Sequence, residues 1–590
     1  MDLMNNEHSC SSTSSLAHLP AELLVRVLRK LSPRQRFGGC ALACRALLAA
    51  AVAATEELQL SNINQQRADS IALWLAKHSS ECLSRLELQG MWQCSPVKLA
   101  VPIERLVHLR ALTIWELALH THPASNSSSI SSCSHLGLLS GLQQLELTST
   151  PQPTCSSLMG GGASVATSYA SSVAAEQAAE IACSAVLGTA LGQLVQLTML
   201  SLSTECAWRL GGLALALLSS LSKLQRLELS TAGTDQHPVQ MQNLPGSLTA
   251  LSLSDVCVDS TQELGSCCQL SRLQQLELSA TDMPATMLRH VPWLQTLLLD
   301  ASLKKHAVLP MLPQLQHICS VILEEMQGAA AASDYAALTA SSQLEKLQLT
   351  RCGIAASAAE HMFAAGRLLP RLRSISIQSE FENPWFPTKD NDSDDEDDDC
   401  ALVLGPGGAA RLAACCPGLQ SLGTLVVEAD VTAADLLPLL QLTALTRLEL
   451  GGHGCGDDVA QQVLSKMAGL VHLEVLYCPS LTPSGCAHLT SLTALTCLRL
   501  QHCRSFALDD GVSSDEDGDG PLSVVTFQSK VTPPDVWARL QQVCMRDPAA
   551  LAVMYQHAQQ RLAAQEQQLQ EQAQQLQQAR QQIQELSQAV

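Results

Sequence analysis

The sequence has few aromatic and charged residues and lacks the motifs of common enzyme classes. Aromatic side chains make up 3% of its 590 residues and charged side chains 15%, whereas 46% of the residues are hydrophobic. A core built on large aromatic anchors is therefore excluded, and a core of aliphatic side chains is favoured. The chain contains no Gly-rich phosphate loop, no G-x-S-x-G and no Cys/His pairing placed as nucleophile and base. We predict that the protein is not an enzyme.

Targeting segments and metal-ligand spacings are also missing from the sequence. The longest strongly apolar run, 46–54, is too short to cross a bilayer. Residues 1–15 lack the charged-then-apolar pattern of a signal peptide. We therefore expect an intracellular protein, cytoplasmic or nuclear, whose 23 cysteines are reduced thiols. Because no C-x-x-C pair occurs, we predict no metal site and no cofactor.

The formal charge of −20 is unevenly distributed along the chain. Residues 390–399 contain eight acids and residues 509–519 contain six more, and subtracting these fourteen from −20 leaves −6 for the rest. Such blocks of like charge repel themselves, so both are expected to be disordered. No basic stripe that would bind nucleic acid is visible.

The most informative pattern in the chain is L-x-x-L-x-L, which recurs thirteen times between Leu83 and Leu500. The strongest copies begin at Leu83, Leu142, Leu224, Leu273 and Leu445. The copies starting at Leu445, Leu470 and Leu495 follow one another at intervals of 25 residues. A fixed period of 20–29 residues with this pattern is the leucine-rich-repeat signature. It predicts an α/β solenoid of horseshoe shape, with a parallel sheet on the concave side and helices on the convex side.

The L-x-L part of each copy alternates as a half-buried strand does. In the first strong copy, Leu86 and Leu88 are predicted to point into the solenoid, while Arg85 and Glu87 point to the open side. Stacked repeats would line these outward positions into one concave surface that binds a protein substrate. The alternative is that these charges only keep an exposed sheet soluble. The candidate substrate-binding residues are Arg85, Glu87, Glu146, Arg226, Glu228, Glu277, Lys346, Arg447, Glu449, Glu474 and Arg499.

Residues 18–48 do not follow the repeat. Leu19-Pro20 precedes a segment whose apolar residues fall on one helical face, and Ser32-Pro33 ends it. A second apolar segment follows and contains Cys44-Arg45. This stretch resembles the F-box, a short helical module, although Leu47 stands where that family usually has Trp. The candidate adaptor-binding residues are Leu19, Pro20, Leu23, Leu24, Val27, Leu28 and Leu31.

The resemblance implies that this module docks on the Skp adaptor of a cullin–RING ubiquitin ligase. Placed before a leucine-rich array, it implies an F-box/leucine-rich-repeat protein, the substrate receptor of an SCF-type ligase. A helical segment of about thirty residues cannot bury a core of its own, so it needs a partner or the first repeat. The alternative is a plain N-terminal cap on the solenoid. The protein would then be a leucine-rich-repeat scaffold or adaptor with no ligase role.

The expected organisation has five parts. They are a disordered N-terminus at 1–15, the F-box-like module at 16–50, the solenoid at 51–508 with insertions at 151–190 and 381–402, an acidic disordered linker at 509–530 and a helical segment at 531–590. The last segment is Gln-rich and has one apolar position kept at heptad spacing, from Tyr555 to Ile583. It favours either weak self-association as a coiled coil or a solvated single helix.

Overall fold

The chain divides into two compact units, Met1–Leu294 and Gln295–Val590. The computed structural model describes residues 20–31, 35, 50–52, 54–78, 82–90, 97–100, 105–115, 117–120, 135–149, 186–204, 217–231, 239–256, 258, 270–280, 285–300, 308–324, 331–350, 352, 354–378, 402–501, 503, 524–528 and a few helical positions between 556 and 578. Each unit is built from leucine-rich repeats and is described by itself below.

The first unit contains a ladder of eight parallel strands among its described residues. In order across the sheet they are β1 (Glu57–Ile63), β2 (Arg85–Gly90), β4 (Ala111–Trp115), β6 (Gln144–Ser149), β7 (Met199–Thr204), β8 (Arg226–Thr231), β9 (Ala250–Ser254) and β10 (Gln275–Ser279). Two further strands, β3 (Val97–Ala100) and β5 (Leu117–His120), form a separate parallel pair.

The second unit repeats this architecture with a second parallel ladder. Its strands are β11 (Thr296–Asp300), β12 (Ser320–Glu324), β13 (Lys346–Thr350), β14 (Ser374–Gln378), β16 (Ser421–Val427), β17 (Arg447–Gly451), β18 (His472–Leu476) and β19 (Cys497–Gln501). The short strand β15 (Leu402–Leu404) also pairs with β16.

The leucines of the repeat form the core of each unit. In one copy, Leu224 lies in the turn before β8, and Leu227 and Leu229 lie within it. Their exposed fractions are 0%, 0% and 2%. Burying each leucine side chain contributes about 2 kcal/mol. The repeat pattern therefore fixes which face of every strand is buried, and the predicted leucine-rich-repeat fold is confirmed.

The segments that return from one strand to the next are a mixture of helix types. The α-helices after β1 include α2 (Gln65–His78), α3 (Ala356–Met362), α4 (Gly408–Cys415), α5 (Ala433–Leu436), α6 (Asp457–Gln462) and α7 (Pro483–His488). The 3₁₀ segments are His135–Leu138, Met241–Asn243, Ala285–His290, Leu309–Gln314, Ala332–Thr339, Leu437–Gln441, Leu464–Lys466 and Leu489–Ser491. Proline explains some of them, because Pro313 lies inside one segment and cannot donate the backbone bond of an α-helix.

Regular structure occurs within one predicted insertion and within the predicted linker. The sequence of insertion 151–190 predicts a loop followed by a helix near Val173–Leu191, and residues 186–192 are helical. The predicted disordered linker 509–530 contains strand β20 (Val524–Gln528), which pairs antiparallel with β19. The run Val-Val-Thr-Phe is rich in β-branched and aromatic residues, which favours a strand wherever an unpaired strand edge is available. That part of the linker prediction is wrong. Both acidic blocks, residues 1–15 and most of 531–590 lie outside the described residues.

Among the described residues, one nine-residue α-helix and further helical residues at 35 and 50–52 precede the first strand of the first unit. Helix α1 (Ala21–Arg29) starts after Pro20, whose carbonyl accepts bonds from the amides of Leu23 and Leu24. Pro20 itself has no amide proton to leave unpaired at this position. Arg29 in the last turn pairs with Glu56 at 2.5 Å, at the entrance to β1. The helix is thereby tied to the start of the repeats.

Candidate functional site

Helix α1 has two apolar sides with different environments. Leu24 and Leu28 are 3% and 2% exposed and pack with Ala50, Ala51 and Ala54. Leu24 and Leu28 are therefore core residues of the first unit. Their predicted role as adaptor contacts is corrected, because the alanines that precede β1 already cover them.

The other side of helix α1 is open. Leu23 and Val27 are 44% and 48% exposed and lie four residues apart, so they are neighbours on one helix face. Pro20 is exposed beside them, whereas Leu31 is half-buried against the alanine cluster. Leu19, like most of residues 32–49, lies outside the described residues. Of the six predicted adaptor residues that the structure describes, Pro20, Leu23 and Val27 remain accessible.

All the predicted substrate-binding residues lie at the alternate, non-core positions of their strands. We call this side of each sheet its open face. In the first unit, Arg85, Arg226 and Glu277 are exposed, and Glu87, Glu146 and Glu228 are half-buried. In the second unit, Lys346 and Arg447 are exposed and Arg499 is half-buried. Glu449 and Glu474 are only 8% exposed.

The glutamates of the first unit occupy one line across its sheet. The register pairs Thr113 of β4 with Glu87 of β2 on one side and with Glu146 of β6 on the other. The same alternation continues through the next four strands. In order, the line reads Glu87, Thr113, Glu146, Ser201, Glu228, Ser252 and Glu277. We call its four acids the glutamate row and its three small residues the hydroxyl gaps.

Neighbouring side chains contact three members of the glutamate row, of which Glu87 and Glu228 are paired with arginines. Glu87 accepts a hydrogen bond from Gln59 at 2.8 Å and lies 3.7 Å from the Arg85 guanidinium. Glu228 is paired with the Nε of Arg226 at 2.5 Å. These groups orient the carboxylates, and each carboxylate can still accept further bonds, because it offers about four acceptor positions.

Glu146 is held by the strand beside it. The indole N–H of Trp115 donates to one of its oxygens at 3.0 Å, and the Thr113 hydroxyl lies 3.5 Å from the other. Trp115 is half-buried on the same open face. The indole face and the carboxylate together form a place where a cation can contact both a negative charge and an aromatic ring.

The acids of the second unit form a compact ion-pair cluster instead. Glu449 and Glu474 are directly opposite each other on β17 and β18. Arg447 contacts Glu449 at 2.5 Å, and Arg499 contacts Glu474 at 2.9 Å. His472 lies 3.6 Å from Glu474. These contacts balance the two buried charges within the protein.

The same cluster meets the distance condition for a metal ion. One ligand atom each from Glu449, His472 and Glu474 lies within 4.8 Å of the others. The two arginines already neutralise both carboxylates, so a divalent cation would have to displace them. The donor set is therefore better explained as an internal ion-pair network.

Buried thiols follow the strands of the second unit. Cys455 and Cys478 are both 0% exposed and Cys503 is 5% exposed. Burial, with hydrogen bonds to Cys455 and Cys503, raises the pKa of the Cys478 thiol. A thiol with a raised pKa forms little of the reactive thiolate, so Cys478 is a packing residue.

Three features of the open face were missed from the sequence. Trp115, which orients Glu146, directly follows the weaker copy that begins at Leu109, and Gln59, which orients Glu87, lies in β1 before the first copy. The alternation of acid and hydroxyl could have been found by aligning every copy on its L-x-L core. The burial of Glu449 and Glu474 could not have been found in this way, because it depends on which strands are neighbours.

Comparison with known proteins adds only distant likenesses. No protein-family model matches the chain, and no curated protein matches its sequence. A leucine-rich-repeat protein of Leptospira interrogans has a similar structure, with 16% identity over 80% of this chain and 97% of that one and a TM-score of 0.42. The plant peptide hormone receptor RGFR1, in complex with RGF2, has 13% identity over 76% of this chain and 66% of that one, with a TM-score of 0.31. The fold assignment rests on the repeat period and the parallel strands.

No membrane-crossing segment is found in the described part of the chain, because none of its helices combines sufficient length with sufficient apolar character.

Proposed function

We propose that the protein is the substrate-recognition subunit of an SCF-type ubiquitin ligase. Helix α1 would bind the Skp adaptor and thereby the cullin, and the open face of the repeats would bind a protein substrate. The chain would carry no catalytic residue and no cofactor. Its contribution would be to raise the effective concentration of substrate lysines near a bound ubiquitin-conjugating enzyme.

The observation that carries this proposal is the pair of exposed apolar side chains on α1. Leu23 and Val27 are both more than 40% exposed, although the opposite side of the helix is anchored by Leu24 and Leu28. A helix held on one side and apolar on the other is a suitable docking element. The sequence around it, Leu-Pro-x-Glu-Leu-Leu, resembles the F-box, which specifies the Skp adaptor as the partner.

Affinity purification of the full chain from cells tests the proposal. The wild-type protein should recover the Skp adaptor and a cullin, and Leu23→Asp with Val27→Asp should abolish that recovery. Both residues are exposed, so the double variant should keep its fold. Leu73→Asp is the matched control, because Leu73 is 72% exposed and belongs to a different helix, α2. It should recover both partners as the wild type does.

A leucine-rich-repeat scaffold without a ligase role is the second candidate. It is favoured by the packing of Leu24 and Leu28 against Ala50, Ala51 and Ala54, which is what a cap on the first repeat requires. If a folded wild-type protein recovers neither adaptor nor cullin, the ligase proposal fails and the scaffold stands. The open face would then bind a protein partner without ubiquitin transfer.

A further inference from the structure

We propose that the open face of the first unit binds an extended, basic protein segment whose cationic side chains occupy the three hydroxyl gaps. This inference deepens the proposed function and rests on it in calling the bound segment a substrate. It identifies a chemical class of target, a Lys- or Arg-bearing stretch with its charges at regular spacing.

Each hydroxyl gap is surrounded by side chains that can bind a cation. Thr113, Ser201 and Ser252 are small side chains, and each has a glutamate directly opposite on both neighbouring strands. A cation above a gap would lie one strand spacing, about 4.8 Å, from the strand of each glutamate. The half-buried hydroxyls of Thr113 and Ser252 offer a further acceptor, whereas Ser201 is only 8% exposed. A Lys or Arg side chain is the protein group that satisfies two carboxylates and a hydroxyl together.

The charge balance of this face favours a positive partner. Its strands carry five acids at open positions, Glu57 and the four members of the glutamate row, and two bases, Arg85 and Arg226. The remaining open positions of these strands are uncharged, which leaves a net charge of −3. Such a surface attracts basic segments and repels the phosphates of nucleic acids.

The carboxylates are oriented before any partner arrives. Gln59 and Trp115 each donate a hydrogen bond to a member of the row, Glu87 and Glu146 respectively. A preorganised acceptor loses less side-chain freedom on binding, so more of the interaction energy appears as affinity. The Trp115 ring beside Glu146 adds a surface on which a guanidinium can stack.

The spacing of the gaps selects the conformation of the partner. Successive gaps are two strands apart, about 9.6 Å. A polyproline II segment has three residues per turn and rises about 3.1 Å per residue, so every third side chain repeats on one face at about 9.3 Å. A segment with a basic residue at every third position therefore matches all three gaps at once.

Fluorescence anisotropy with synthetic peptides and the purified full chain tests this match. The probe is a labelled nonapeptide of three Arg-Pro-Pro units, and its control has the same composition with the three arginines adjacent. The spaced peptide should bind about fivefold more tightly, since only it can fill all three gaps. Its affinity should fall as salt is raised.

Glutamate variants locate the binding surface. Glu146→Gln with Glu228→Gln should weaken the spaced peptide about tenfold, because every gap loses a carboxylate while side-chain size is kept. Glu345→Gln with Glu360→Gln, two exposed acids outside the row, is the matched control and should bind as the wild type does. Equal affinity for the two peptides, or no loss in the row variant, would overturn the inference.

The peptide measurement uses the purified chain alone and needs no adaptor. If adaptor recovery fails while the spacing preference holds, the ligase proposal is wrong and the basic-segment surface stands. If the adaptor is recovered but neither spacing nor the glutamates matter, the ligase proposal stands and the substrate class is wrong.

Discussion

The two open faces use the same repeat position in different ways. In the first unit the middle residue of L-x-L alternates between glutamate and a small hydroxyl residue. In the second unit, Glu449 and Glu474 stand on adjacent strands in direct register and are buried. The first pattern leaves its carboxylates at least partly solvated, whereas the second buries them in a compact network of ion pairs.

The difference follows from the distance between like charges. Acids directly opposite on adjacent strands destabilise a sheet, so Glu449 and Glu474 need the arginines that flank them. Acids on alternate strands are about 9.6 Å apart, close to the screening length of about 8 Å at physiological salt. The glutamate row therefore needs no full set of counterions and can receive them from a partner.

The largest expected difference between the two open faces is the loss of stability when one of their arginines is removed. Arg499→Ala should lower the free energy of unfolding by about 2–3 kcal/mol, because it leaves Glu474 buried beside Glu449 without its cation. Arg85→Ala should cost less than about 1 kcal/mol, because Glu87 is partly solvated and has Gln59 as a second partner. Urea denaturation followed by circular dichroism measures both. Equal losses would mean that the two environments do not differ.

A smaller loss of stability is expected when acids are placed on adjacent strands of the first unit. Ser252→Glu places a third acid between Glu228 and Glu277, so stability should fall by about 0.5–1 kcal/mol. High salt should restore most of this loss, because it screens the repulsion between the carboxylates. Ser252→Gln, of similar size and no charge, should have little effect in the same urea titration. A loss that is equally large for the glutamine variant would point to side-chain size instead of charge.

The smallest effect concerns the thiols of Cys82 and Cys478. Their different environments should appear as different labelling rates, with no effect on the stability of the protein. Cys82 is half-buried before β2, whereas Cys478 is buried and its raised pKa leaves less thiolate at pH 8. In the folded protein, iodoacetamide should modify Cys82 well before Cys478. In denaturant both should react alike. Peptide mass spectrometry resolves the two positions, and early modification of Cys478 in the folded state would contradict the packing described here.

The repeat itself was predictable because it is local and periodic. Leu224, Leu227 and Leu229 show why: each occupies a position whose environment is set by its own repeat and the identical neighbours on either side. A strand that belongs to no repeat is different. Strand β20 comes after an acidic block. Its pairing with β19 depends on the free edge of that strand, which no pattern in residues 509–530 indicates.

The strand positions of the candidate residues were predictable, and their environments were less so. Every substrate-binding candidate lies on an open face, because the two-residue period of a strand assigns faces reliably. Whether Glu474 is solvated depends on Arg499 one strand away, which is 25 residues along the chain. On α1, the helical period groups Leu23, Leu24, Val27 and Leu28 together, but only the position of Ala50–Ala54 decides which of them are covered.

Strand β20 has a consequence for how the protein behaves at high concentration. A parallel stack that ended at β19 would present a row of unpaired amides and carbonyls, a template on which another molecule could add a strand. The antiparallel pairing of Val524–Gln528 occupies that template from within the same chain. Shortening the protein before residue 524 would therefore be expected to promote assembly into aggregates while leaving the repeats upstream intact.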